Sequence, residues 1–143
     1  MAGTVRTYSP DKVKIIVGVL PLTGFADGTF VSVEQMTDGV TSQAGADGEV
    51  ARAMSADKRM RVTITLQQTS ASNDFLSASY QADQASGGDI PLPIAITDLR
   101  GSSLFFASSA WVVKMPTAEF GKEIGTREWV LETAAADFNV GGN

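Results

Sequence analysis

The groups in this chain that could carry chemistry are carboxylates, guanidiniums and hydroxyls. Histidine and cysteine are both absent from its 143 residues. That removes the commonest general base, the commonest metal ligand and the thiolate nucleophile. Serines are plentiful, but no Gly-x-Ser-x-Gly occurs and no histidine can complete a triad. Glu119, Glu123, Glu128 and Glu132 are candidates for the paired carboxylates of glycoside hydrolysis. Solvated or interface carboxylates on two strands are the plainer reading. Asp38-Gly39 and Asp47-Gly48-Glu49 suggest calcium only superficially, because the alternating Asp/Asn ladder and the late Glu of a calcium loop are missing. No glycine leads into a Gly-Lys-Ser phosphate loop. The residues therefore point to no catalytic site, no metal and no cofactor.

Four of the eleven basic residues, Arg52, Lys58, Arg59 and Arg61, fall between Val50 and Val62. No aromatic is interleaved with them, as a stacking nucleic-acid platform would require. They form either a solvated loop or an inter-subunit contact that meets Asp47 and Glu49 of a neighbour. Such complementarity fixes register more than it adds affinity. The net charge of −5 argues against binding by phosphate neutralisation. Phe105, Phe106, Trp111 and Trp129 could build a ligand platform, but at strand positions they read more simply as core. Only 19% of residues are charged, fewer than a fully solvated surface usually carries. Part of the surface is therefore expected to meet other copies of the chain.

The elements that must position these groups are organised around Met60–Ala85. Met60, Val62, Ile64 and Leu66 alternate with Arg61, Thr63, Thr65 and Gln67, which predicts a strand with one packed and one wet face. The period then changes to that of a helix over about 72–86. Ser72 would accept the first-turn amides, Asp74 suits the positive end of the dipole, and Gly87-Gly88 stops the helix. Phe75, Ala78, Ala82 and Ala85 are expected to face the sheet. Lys12–Leu20 and Thr29–Met36 read as strands spaced for a hairpin, with Pro21 ending the first. Further strands are expected at Ile90–Thr97, Ser103–Met115, Glu119–Ile124 and Arg127–Val140. Residues 37–59 form a long, least regular connection in which Val40–Ala44 could be a short strand, and a connection of this length usually has a function. The chain fits one domain, 1–143, mainly β: a rolled β-sandwich or barrel with one flanking helix. Its first ten residues lack the apolar core of a signal peptide, and the longest apolar run is too short to cross a bilayer. A soluble product of the cytoplasm that made it is expected, with no membrane binding.

Five blocks resemble a known family: Phe25–Glu34, Ala44–Glu49, Val62–Asp74, Phe120–Thr133 and Val140–Asn143. They are similar to the tail tube proteins of contractile-tailed bacteriophages, fold-related to the tube protein of type VI secretion. The resemblance implies stacked, hexameric rings of identical chains, whose inner sheets join into a barrel around a channel. Phage DNA would pass through without specific binding. Tail sheath, tape measure and baseplate proteins would be the partners, in a virion assembled in the host cytoplasm. It further implies that Glu34, Thr63, Thr65 and Gln67 face the lumen. Asp47, Glu49, Arg52, Lys58, Arg59 and Arg61 would make inter-ring or inter-subunit contacts, with Arg61 near the rim and paired to a carboxylate. A tail terminator, a baseplate-proximal tube-like protein and a small β-barrel ligand-binding module are the rival expectations.

Overall fold

A computed structural model of the chain describes residues 4–143. Its strands are β1 (Val13–Val17), β2 (Leu20–Pro21), β3 (Val31–Gln35), β4 (Val40–Ala44), β5 (Val50–Met54), β6 (Met60–Gln67), β7 (Leu92–Asp98), β8 (Leu104–Lys114), β9 (Thr126–Thr133) and β10 (Ala136–Asn139). One helix, α1 (Ser72–Ala85), follows β6. The fold is mainly β with a flanking helix, as the alternating patterns predict.

An eight-stranded antiparallel sheet runs in the order β2-β1-β7-β8-β9-β6-β3, with β10 against the N-terminal half of β8. The alternation in β6 appears as burial: Met60, Val62, Ile64 and Leu66 are buried, while Arg61, Thr63 and Thr65 are half-buried and Gln67 is exposed. Ile15 and Val17 of β1, Ile94 of β7, Phe105 and Val112 of β8, and Trp129 and Leu131 of β9 join them in one apolar cluster. The sheet rolls over this cluster until Val31 and Val33 of β3 face Ile96, Phe105 and Phe138 across an open cavity. Burying a medium-to-large apolar side chain contributes about 1.5–3 kcal/mol, so this shared cluster is what holds the roll closed.

Several local expectations are corrected. β1 ends at Val17, turns through Gly18 and Val19, and pairs back on Leu20–Pro21. Pro21 therefore belongs to a short edge strand, where its missing N–H is tolerated. β1 and β3 do not form a hairpin: β1 pairs with β7, and β3 with β6. Alternation assigns a face but not a partner. The stretch 119–124 is not a strand, and the last extended segment breaks at Ala134-Ala135 into β9 and β10. Residues 37–59 are more regular than expected, because β4 and β5 form a hairpin paired only with itself.

The helix occupies the expected residues but turns a different face inward. Leu76 is fully buried, Phe75 and Tyr80 pack partly on the core, and Ala78, Ala82 and Ala85 lie outside that cluster. Removing two aromatics and a leucine from water outweighs removing three methyl groups. Asp83 does not disturb that face, because its carboxylate accepts the Ile90 N–H at 3.2 Å. Ser72 does not cap the first turn. Its hydroxyl accepts the Thr23 N–H at 3.0 Å, and Ser70 Oγ accepts the Ser72 N–H at 3.2 Å. Ser70 Oγ also donates to the Thr23 carbonyl at 2.5 Å. This closeness explains Gly24, whose φ is +75° and where a Cβ would lie 2.6 Å from Ser70.

Candidate assembly surfaces

Three surfaces stand out: a polar wall, two bare strand edges and the projecting hairpin. The wall is the outer face of four adjacent strands, β3-β6-β9-β8. Register places Glu34 opposite Arg61, Arg61 opposite Glu132, and Glu132 opposite Trp111. The next row holds Ser32, Thr63, Val130 and Lys114, and the row after it Thr65 and Glu128. Gln67 lies opposite Thr126 at the end of the ladder. Glu34, Thr63, Thr65 and Gln67 therefore share one face because they alternate with the core residues of their own strands. Glu128 and Glu132 share it too. Their even spacing on β9 carries that signal, but it becomes readable only once β9 is known to lie beside β6.

Arg61 sits between two carboxylates, 3.7 Å from Glu34 and 3.5 Å from Glu132. Both pairs are partly solvated, so their stabilising contribution is small, about 0–1 kcal/mol each. The larger effect is on the field: the three carboxylates Glu34, Glu128 and Glu132 outnumber the two cations Arg61 and Lys114, which leaves this patch net negative. Trp111 is half-buried and Phe106 exposed, whereas Phe105 and Trp129 are core. The four aromatics thus form no common platform.

The first bare edge belongs to β3. Phe30 O accepts the Thr65 N–H at 2.9 Å, and the Met36 N–H donates to Arg59 O at 3.2 Å. In an antiparallel ladder this phase turns Ser32 and Glu34 toward β6 and leaves the N–H and C=O of Val31, Val33 and Gln35 pointing away. Among the described residues no strand lies there. The second edge belongs to the C-terminal part of β8. Pairing with β7 stops at Leu92 opposite Ala110, where Pro91 offers no donor to continue the ladder. From there to Lys114, β8 has β9 on one side only.

The hairpin continues the β3–β6 pair, as β3 leads into β4 and β5 into β6. Every residue of β4 and β5 is exposed, Val40, Val50 and Met54 included. Register puts Val40, Met54, Ala44, Val50, Ser42 and Arg52 on one of its faces. An isolated two-stranded ribbon is marginal in water, and an apolar face on it needs cover. Asp47 and Glu49 lie at the tip, where Asp47 Oδ1 accepts the Glu49 N–H at 3.1 Å.

At the joint between hairpin and body, Asp57 accepts the Arg59 backbone N–H at 3.1 Å. It also accepts the Arg59 guanidinium at 3.0 Å to Oδ1 and 2.9 Å to Oδ2. The Arg59 side chain first, and then its backbone N–H, hold the Asp57 carboxyl down to about 2. The same side-chain pairing raises the Arg59 guanidinium further above its ordinary value. The expected contact residues therefore separate into three places: Asp47, Glu49 and Arg52 on the hairpin, Lys58 and Arg59 at the joint, and Arg61 in the wall. Two serines stand three residues before a lysine, Ser9 and Ser55. Both lie in turns with their hydroxyls engaged by the local aspartate segment.

A rolled antiparallel sheet with a flanking helix is the fold of end pieces from contractile injection machines. The tube-terminating cap of the anti-feeding prophage superposes with a TM-score of 0.59 at 10% identity, covering 97% of this chain and 95% of that one. The sheath/tube terminator of the PVC extracellular contractile injection system, in its extended state, gives 0.57 at 11% identity, covering 96% and 100%. In sequence, "Structural protein ORF10" of Pseudomonas phage KPP10 is 35% identical over all of this chain and 87% of its own length. The model of the family described as "Bacteriophage PhiTE tail tube protein" matches residues 22–141, and the chain belongs to that family. It is a structural protein of a phage tail.

Proposed function

We propose that this chain is one domain with a projecting arm, residues 37–59, and that it assembles into closed rings that stack as the inner tube of a contractile phage tail. The wall β3-β6-β9-β8 faces the lumen, with Glu34, Thr63, Thr65 and Gln67 joined there by Glu128 and Glu132. The observation that carries this reading is a polar, acidic four-stranded face bounded on both sides by unpaired backbone. Bare edges in a monomer are a liability, and here ring closure satisfies them. A wall that repels phosphate lets DNA slide, because each cation held to a phosphate adds a salt-dependent attachment. Arg61 and Lys114 are the cations of these rows, outnumbered by Glu34, Glu128 and Glu132, and Arg61 is flanked by carboxylates. The ring holds six copies, as in the tubes the sequence resembles. The arm carries its Val40, Val50 and Met54 face onto the adjoining ring. Rotational closure limits the ring, whereas head-to-tail stacking does not close and gives a filament. Sheath, tape measure and baseplate proteins are the expected partners, and the role is structural rather than catalytic.

The two terminator folds favour a second reading, a ring that caps a tube. Size-exclusion chromatography and negative-stain microscopy of the purified chain distinguish the two. Long hollow tubes support the tube reading, and isolated rings support the terminator. Replacing 40–54 with a short turn is expected to leave rings that no longer stack. A chain that stays monomeric with a ligand in its cavity would overturn both readings.

A further inference from the structure

The geometry points to a specific junction between neighbouring copies: the Met115–Gly125 loop of one copy plugs the cavity of the next with Phe120. This rests on the ring reading above and goes on to say which edges meet. β3 is antiparallel to β6, β6 to β9, and β9 to β8. The four-stranded wall therefore begins and ends with strands of opposite direction. When copies are related by rotation, the free edge of β8 meets the free edge of the next β3 in antiparallel sense, and the ladder continues without a parallel fault.

That polarity decides where the chain goes after β8. Lys114, its last residue, comes to lie beside the N-terminal end of the neighbour's β3. There the cavity of about 560 Å³ opens, rimmed by Gly28 and Thr29 and lined by Val31, Ile96, Phe105 and Phe138. The loop delivered to that mouth carries Phe120 and Ile124, which are 81% and 74% exposed in the free chain. Two large apolar side chains held out on one loop mark it as a contact surface.

The loop is built to present Phe120. Arg127, only 8% exposed, donates to the carbonyls of Thr126 at 3.1 Å and Glu119 at 3.2 Å. Its guanidinium lies 5.2 Å from the Phe120 ring centroid, within cation–π range. Gln68 fixes the far end of the loop, donating its N–H to Gly125 O and accepting the Gly125 N–H on Oε1, both at 3.0 Å. An ordered loop loses little conformational freedom on docking. The arm is a poorer occupant, because it leaves β3 at Met36, the end away from Gly28.

The absence of cysteine makes the test clean. With Thr29→Cys and Gly121→Cys together, which keep Phe120 and add a side chain at 121 where nothing lies within 4 Å, oxidation of the assembled protein is expected to give a ladder of covalent multimers ending at the ring number. Neither single variant should pass beyond a dimer. Phe120→Ser is expected to leave the melting of the free subunit unchanged and to lower the assembled fraction at least tenfold. If the parent chain and the double-cysteine variant both form rings but oxidation gives no 29–121 ladder, or if Phe120→Ser still forms rings, the junction is overturned and the ring reading stands. A parent chain that forms no ring would overturn both.

Discussion

Replacing Asn73 by alanine tests how the helix is fastened to the wall. Asn73 Oδ1 accepts the Trp129 indole N–H at 2.8 Å, and its Nδ2 donates to the carbonyls of Gln67 at 3.0 Å and Gln68 at 3.4 Å. Trp129 is 1% exposed, so the substitution strands a buried donor at a cost of about 1–3 kcal/mol. The two carbonyls lie at an exposed strand end and turn to water, adding about 0.5–1 kcal/mol. The sum, about 1.5–4 kcal/mol, corresponds to a fall in Tm of about 4–15 °C for a chain of this size. Urea and thermal unfolding of the free subunit, followed by circular dichroism, would measure it. Trp129→Phe removes the donor itself, so in that background Asn73→Ala is expected to be less harmful by about 1–2 kcal/mol. A loss below about 0.5 kcal/mol, or strict additivity of the pair, would refute the view that one amide bridges α1, β6 and β9.

Two further outcomes concern the arm joint and the wall. The Asp57 carboxyl is held below its ordinary value, so its clamp on Arg59 is complete above about pH 4 and is lost as pH falls through about 2. An NMR titration should place the Asp57 midpoint near that value and find it raised toward the ordinary carboxylate range in Arg59→Gln, where only the backbone N–H still holds it down; an unchanged midpoint would contradict the clamp. Thr63→Lys with Thr65→Lys puts two cations on the wall, and the resulting tubes are expected to retain DNA at low salt and release it as salt rises. The slope of log K against log salt should steepen by about 0.9 for each additional phosphate neutralised, and salt-independent retention would mean that these positions do not face the channel.

Faces are legible in the sequence where one side of a strand is buried. β6 shows it best, since Met60 to Leu66 alternate without exception and the structure buries all four apolar residues. β9 is legible for the same reason through Trp129 and Leu131. Partners are not legible, because the neighbours are far apart in the chain: β1 pairs with β7 and β3 with β6. The carboxylates that β9 adds to the wall are hidden with them. β5, Val50-Ala-Arg-Ala-Met54, leaves no signal because it is exposed on both sides and has no buried face to impose a period. Small residues are a poor guide to the inward side of α1, where Phe75, Leu76 and Tyr80 dominate the area. The 119–124 segment looks like a strand in its spacing, yet it is shaped by Arg127, a contact that no local pattern encodes.

The arm and the wall are one ribbon, interrupted only at the Asp57 joint. A pull on the arm along its strands therefore reaches the body through covalent backbone, not through side-chain packing. It enters β6, whose ladder with β9 extends over every residue from Met60 to Gln67, and loads those hydrogen bonds in shear. Bonds sheared together share the force, whereas bonds peeled from one end fail in sequence. A subunit held by its arm is in this way mechanically strong along the strands and weak to sideways tearing.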